Sequence, residues 1–149
     1  MIDAGDYNVK KVKRYESATA YKGSRKIADL EWQDGGIFNV WWKSDEEKDI
    51  FESWLLVLQE NNPDNETYED EEIFFDELMH ERANVDQAKR NRKTKTYYLL
   101  KGDDEARNKT IPYSENVANF IIREHGENLN YIVNEEFYIY PDDMEKVVR

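Results

Sequence analysis

The sequence predicts an α+β fold, a small antiparallel sheet packed against three helices in a single domain of 149 residues. Three observations predict it. Apolar residues before position 43 recur with a period of two and are interrupted by a Gly-Gly turn. Later segments carry apolar residues at spacings of three, four and seven, two of them behind a serine suited to cap a helix. The aromatics, 4 Trp, 10 Tyr and 6 Phe, supply a core to a chain that is 36% charged. Its mean hydropathy of −0.98 would otherwise permit disorder.

Residues 7–21 read as one long or bent strand, with Tyr7, Val9, Tyr15 and Tyr21 in one phase and Val12, Ala18 and Ala20 in the other. Ile27 to Gln33 forms the next, with Ala28, Leu30 and Trp32 on one face. Asp34-Gly35-Gly36 is a hairpin turn, since glycine adopts positive φ without steric cost. Ile37 to Lys43 follows, with Phe38, Val40 and Trp42 opposite Ile37 and Trp41. The face of Leu30, Trp32, Phe38 and Val40 needs a covering layer.

Ser44-Asp45-Glu46-Glu47 is a capping box in which Ser44 caps and Glu47 reaches back. Ile50, Phe51, Trp54, Leu55 and Leu58 then form one apolar stripe, which makes Trp54 and Leu58 core positions. Asn61 to Asn65 ends this helix. A second is expected from near Thr67 to about Lys89, burying Phe74, Phe75, Leu78 and Met79. Its wheel turns Glu69, Asp70, Asp76 and Glu77 outward beside Ile73. Thr96 to Lys101 is a strand and Gly102 to Thr110 a polar loop. Ser114 caps a third helix through His125, with Val117, Phe120, Ile121 and Glu124 as its period and Gly126 as its stop. Tyr131 to Val133 and Phe137 to Tyr140 are short strands. Pro141 breaks the last, and a helical turn over Asp142 to Val148 is expected.

The charge is unevenly placed. Residues 44–81 hold 15 acidic side chains and one basic, Lys48, for −14 of the total of −12. Residues 82–101 hold 7 basic and one acidic, for +6. A block of this size repels itself unless solvent, salt or a cationic partner offsets it. The bland explanation is a solvated surface that aids solubility.

Familiar chemistry is mostly missing. Without Cys, this chain cannot use disulfides, thiol catalysis or cysteine-ligated zinc or iron–sulfur sites. No apolar run reaches the roughly 18 residues that span a bilayer. The acidic start, Met1 to Asp6, does not read as a signal peptide, so a soluble, cytoplasmic protein without membrane partners is expected. Glu77-Leu78-Met79-His80 matches the Glu-x-x-His half-site of helical di-iron proteins, but Ile122 stands where His125 would need its glutamate. No metal or cofactor is expected. Asp64-Asn65-Glu66 lacks the spacing of a calcium loop. There is neither a phosphate-binding Gly-Lys-Ser/Thr nor a Gly-x-Ser-x-Gly elbow. Carboxylate pairs can be drawn anywhere among 33 acids; Asp29, Glu31 and Lys43 could be cast as a nuclease centre, but alternation puts both acids on the polar sheet face. No enzyme activity and no catalytic residue are expected.

The basic run Lys89-Arg90-Asn91-Arg92-Lys93-Thr94-Lys95, followed by Tyr97 and Tyr98, has the ingredients of a single-stranded nucleic-acid groove. It also suits a helix end, where cations meet the negative pole of the dipole. The net charge argues against direct nucleic-acid binding.

The acidic block offers more. Asp45, Glu46, Asp49, Glu52, Glu69, Asp70, Asp76 and Glu77 are candidate partner-binding carboxylates, with Ile73, Trp41 and Tyr68 as apolar anchors. Proteins that hold DNA line their clefts with Lys and Arg, and a rigid array of carboxylates can occupy such a cleft. In composition and in this block the chain resembles the small, cysteine-free, acidic phage-borne inhibitors of host defence, the anti-CRISPR and anti-restriction DNA mimics. The resemblance carries no motif. It implies inhibition of a basic nucleic-acid-handling partner, a CRISPR effector or restriction nuclease, in the host cytoplasm. Immunity proteins that neutralise nuclease toxins look the same at this level. A nucleic-acid-binding accessory protein using residues 89–95 is the rival of a different class.

Overall fold

The computed structural model describes residues 2–137. The fold is α+β. The chain divides into two compact units, Met1–Ala83 and Asn84–Arg149. No helix among the described residues is long and apolar enough to cross a membrane.

In the first unit β1 (Tyr7–Lys13), β2 (Ser17–Lys22), β3 (Arg25–Gln33) and β4 (Ile37–Trp42) form an antiparallel meander in chain order. The segment expected as one strand is two. The β1 register shifts between Lys10 and Lys13, where Lys11 has φ 57°, and Arg14 and Tyr15 turn the chain at φ 53° and 59°. This break reconciles the two phases of the sequence: Tyr7 and Val9 before it, and Ala18 and Ala20 after it, are all buried in one core. Beyond the Gly35-Gly36 turn, φ 89° and 81°, β4 pairs with β3 without a shift from Gln33–Ile37 to Ala28–Trp42. Leu30 and Phe38 are buried, Trp32 and Val40 pack beside them, and Ile37 and Trp41 face out, as alternation requires.

Helix α1 (Asp45–Asn61) and the first part of α2 (Glu71–Arg90) supply the covering layer. The sheet contributes small side chains to this core, Ala18, Ala20 and Ala28, and the helices large ones, Phe51, Phe74 and Phe75. Ser44 accepts from the Glu47 amide at 3.2 Å, as a cap should. Glu47 does not reach back. It pairs with Arg25 at 2.9 Å, because a full charge partner outcompetes an amide. Phe51 and Leu55 are buried and Trp54 and Leu58 half-buried, but Ile50 lies outside the stripe, 38% exposed.

Helix α2 begins later than Thr67. Residues Glu66–Tyr68 form a separate 3-10 turn capped by Asn65, and Asp70 caps α2 by accepting from the Ile73 amide at 2.9 Å. Its stripe of Phe74, Phe75, Leu78 and Met79 is buried as predicted.

In the second unit β5 (Thr96–Leu100) is the middle strand between β6 (Arg107–Lys109) and β7 (Leu129–Ile132), both antiparallel to it. Tyr98 joins Val117, Ala118 and Ile121 of α3 (Glu115–His125), while Tyr97 and Leu99 join Ala88, Val133 and Val85. Burial on both faces explains why β5 is an unbroken apolar run rather than an alternating one. Ser114 caps α3 through the Val117 amide, and Gly126 ends it at φ 52°. Phe120 and Glu124, expected in the α3 stripe, are instead exposed, Phe120 at 51% and Glu124 paired with Lys109; Ala118 takes the inward place. The polar loop expected over 102–110 contains the short β6. Asn84 holds this loop, donating to the Asp104 carbonyl and accepting from the Ala106 amide. The strand expected at Tyr131 starts at Leu129 and passes into a 3-10 turn at Val133–Glu136. The strand expected over Phe137 to Tyr140, apart from Phe137 itself, and the turn over Asp142 to Val148 lie outside the described residues.

Candidate protein-binding face

The acidic block splits into two sets. Asp45, Glu46, Asp49, Glu52 and Glu60 are exposed along α1, and Asp64, Glu66, Glu69, Asp70 and Glu72 are exposed from the end of α1 to the start of α2. The other five of the fifteen, Glu47, Glu71, Asp76, Glu77 and Glu81, are half-buried, and each has an internal partner. These partners are Arg25, the Trp42 indole, the Trp32 indole, the Thr67 hydroxyl and the Ile2 amide respectively.

Asp76 and Glu77 are therefore not outward residues of an open surface. Each lies about 130° from the middle of the buried α2 stripe, on the outer half of the wheel, yet side chains of neighbouring elements reach both. Trp32 Nε1 donates to Asp76 Oδ1 at 2.5 Å, and Thr67 Oγ1 donates to Glu77 Oε2 at 2.6 Å. Glu69 and Asp70 are exposed, but they precede the helix rather than lie on its wheel, and Asp70 is committed as the cap. Among the proposed anchors, Trp41 is 56% exposed and Ile73 half-buried. Tyr68 is buried, its hydroxyl donating to the Asp3 carbonyl at 2.9 Å, so it cannot anchor a partner.

Within its own segment the exposed set has almost no compensating charge. Lys48 is the only cation of the segment and is drawn toward Glu52, at 3.9 Å. At the end of α1 the chain forms a cleft of about 370 Å³ lined in part by Asp64, Glu66 and Glu69. The outer face of α1 also carries apolar side chains that the periodicity did not single out: Leu56 and Val57, each 55% exposed, beside Ile50. Their signal was present, since both fall outside the inward stripe, but an apolar residue in a helix is read as core unless its phase is tested.

Glu71 differs from the exposed set. Burial raises its carboxyl above the ordinary value, with the Trp42 indole, 2.7 Å away, working in the opposite direction. A carboxyl whose folded pKa exceeds its unfolded one binds its proton more tightly when folded. Its ionisation therefore costs stability, and the cost appears as pH rises through the carboxylate range. Glu71→Gln keeps an acceptor for the indole and removes the desolvated charge. The expected result is a higher melting temperature than wild type at pH 7, and a difference that shrinks toward pH 4, measured by thermal unfolding across that range.

The other candidates do not assemble. Asp29 faces out and pairs with Lys26 at 3.0 Å. His80 Nδ1 contacts the Asp76 carbonyl at 2.8 Å, and the ring lies on Tyr15. Lys89, Arg90, Arg92 and Lys93 are exposed, but Tyr97 and Tyr98 are buried and offer no open ring for a base. Comparison with family models, curated proteins and solved structures found no match, so the site is read from its own geometry.

Proposed function

We propose that this protein is a non-enzymatic inhibitor of a basic nucleic-acid-handling partner, such as a CRISPR effector or restriction nuclease. It binds through the exposed carboxylates of α1 and of the connection to α2, in the place DNA would take. The observation that supports this reading is the division of the acidic block. The fold half-buries five carboxylates against internal partners and leaves ten exposed along one stretch of chain, with a single lysine among them. Such a field steers a cationic cleft toward it and releases the cleft's counterions on contact, as DNA does. Partner and inhibitor meet in the cytoplasm, and the mechanism is stoichiometric.

Competition tests the mode of inhibition. The partner is loaded with a labelled DNA duplex and titrated with the protein. Release of DNA at a one-to-one ratio is expected. Inhibition with the duplex still bound would instead place this protein with nuclease-locking immunity proteins.

A further inference from the structure

We propose that the partner element seated on α1 is a basic amphipathic helix, docked on the outward face centred on Ser53. This rests on the reading of α1 as the partner-binding face and specifies what it receives.

Charge density supplies the first argument. Asp45 to Glu60 covers about 22 Å of helix at 1.5 Å per residue. Its five exposed carboxylates give roughly one charge per 4–5 Å, whereas duplex DNA carries one per about 1.7 Å and a single strand one per about 3.4 Å. On charge alone α1 competes poorly for a cleft built to hold DNA. A second source of affinity is required, and the helix displays one. At about 100° per residue, the neighbours of Ser53 three and four positions away are Asp49, Ile50, Leu56 and Val57. Ile50 is 38% exposed, and Leu56 and Val57 are 55% exposed. The core of the first unit is already served by Phe51 and Leu55 on the opposite face.

Shape and charge then define the occupant. Ser53 is small and exposed and sits between larger apolar side chains, so a facing helix can approach to the usual 8–10 Å and set a side chain beside it. Glu46 and Glu60 stand one further turn pair away at either end, and Asp49 and Glu52 along one flank. An apolar strip edged with Lys or Arg satisfies both features. An unstructured polycation uses only the carboxylates, a nucleic acid is repelled by them, and a second copy of this chain would bring the same negative face.

The test uses the full chain and two synthetic helical peptides of equal length and charge, one with Leu at i, i+3, i+4 and i+7 spacing and Lys on the remaining face, the other with Ala in place of Leu. Affinities are measured by fluorescence anisotropy at low and physiological salt, and the site is mapped by amide chemical shifts. The Lys/Leu peptide is expected to bind about ten-fold tighter, the equivalent of about 1.4 kcal/mol. The largest shifts should fall between Asp49 and Glu60. In the Ile50→Ala, Leu56→Ala, Val57→Ala variant, which keeps good helix formers on an exposed face, that advantage should vanish while the Lys/Ala affinity stays. Equal binding of the two peptides, lost in an Asp49→Lys, Glu52→Lys, Glu60→Lys variant, overturns the amphipathic helix and leaves the acidic-face reading intact. An advantage that survives the alanine variant also overturns it. Failure of both peptides to bind at low salt rejects the acidic face itself.

Discussion

Reversing four exposed carboxylates, Asp49→Lys, Glu52→Lys, Glu60→Lys and Glu69→Lys, is expected to weaken partner binding by at least about a hundred-fold, mostly through slower association. The changes alter the local charge by +8. Exposed charges are screened over about 8–10 Å at ordinary ionic strength, so wild-type affinity should fall with salt and the variant's should not. Folding should be little affected. All four side chains are exposed, and the Glu52 contact with Lys48, 3.9 Å long, is a surface pair worth at most about 1 kcal/mol. Asp76→Lys and Glu77→Lys make the contrasting pair. They strip acceptors from the Trp32 indole and the Thr67 hydroxyl, and each should cost about 1–3 kcal/mol of stability. Surface plasmon resonance at two salt concentrations and urea unfolding, run on both variants, separate loss of binding from loss of fold.

Phe51→Ala should have the largest effect on stability, about 3–5 kcal/mol. The ring is fully buried and stands within 4.9–5.9 Å, centroid to centroid, of Tyr7, Trp42, Trp54, Phe74 and Phe75. Removing it leaves a cavity bounded by large rigid rings that cannot collapse into the space. Leu58→Ala on the same helix should cost only about 1 kcal/mol, because Leu58 is half-buried and solvent can refill what is lost. Urea denaturation measures both. A loss below about 1 kcal/mol for Phe51→Ala would show that the aromatic cluster is not the centre of the first unit.

The elements with strong local signals were legible from residues alone. Ser44 and Ser114 cap their helices, Gly35-Gly36 turns the hairpin, and Gly126 stops α3, because each of these choices is made within a few residues. What escaped the sequence depends on contacts far along the chain. Periodicity assigns Asp76 and Glu77 to the solvent side, but it does not know that Trp32, 44 residues earlier, and Thr67 will meet them. Ile50 and Phe120 have apolar chemistry and plausible spacing, yet the stripe at each helix is narrower than the spacing allows. The β1–β2 break was visible only as a phase conflict, since non-glycine residues at positive φ carry no local signature. For the candidate site, six carboxylates foreseen from the sequence are exposed: Asp45, Glu46, Asp49, Glu52, Glu69 and Asp70. Leu56 and Val57 were missed although their phase puts both outside the inward stripe, and the packing leaves that face of α1 open, each side chain 55% exposed.

Site-specific photocross-linking in the native cell tests the acidic face most directly. A photoreactive amino acid is placed in turn at Glu52, Glu60 and Lys93, all exposed and therefore tolerant of replacement. The carboxylate face predicts covalent capture of one basic nucleic-acid-handling protein from positions 52 and 60, suppressed by excess DNA, and none from position 93. Capture from position 93 alone, or capture from 52 and 60 that DNA does not suppress, would contradict it.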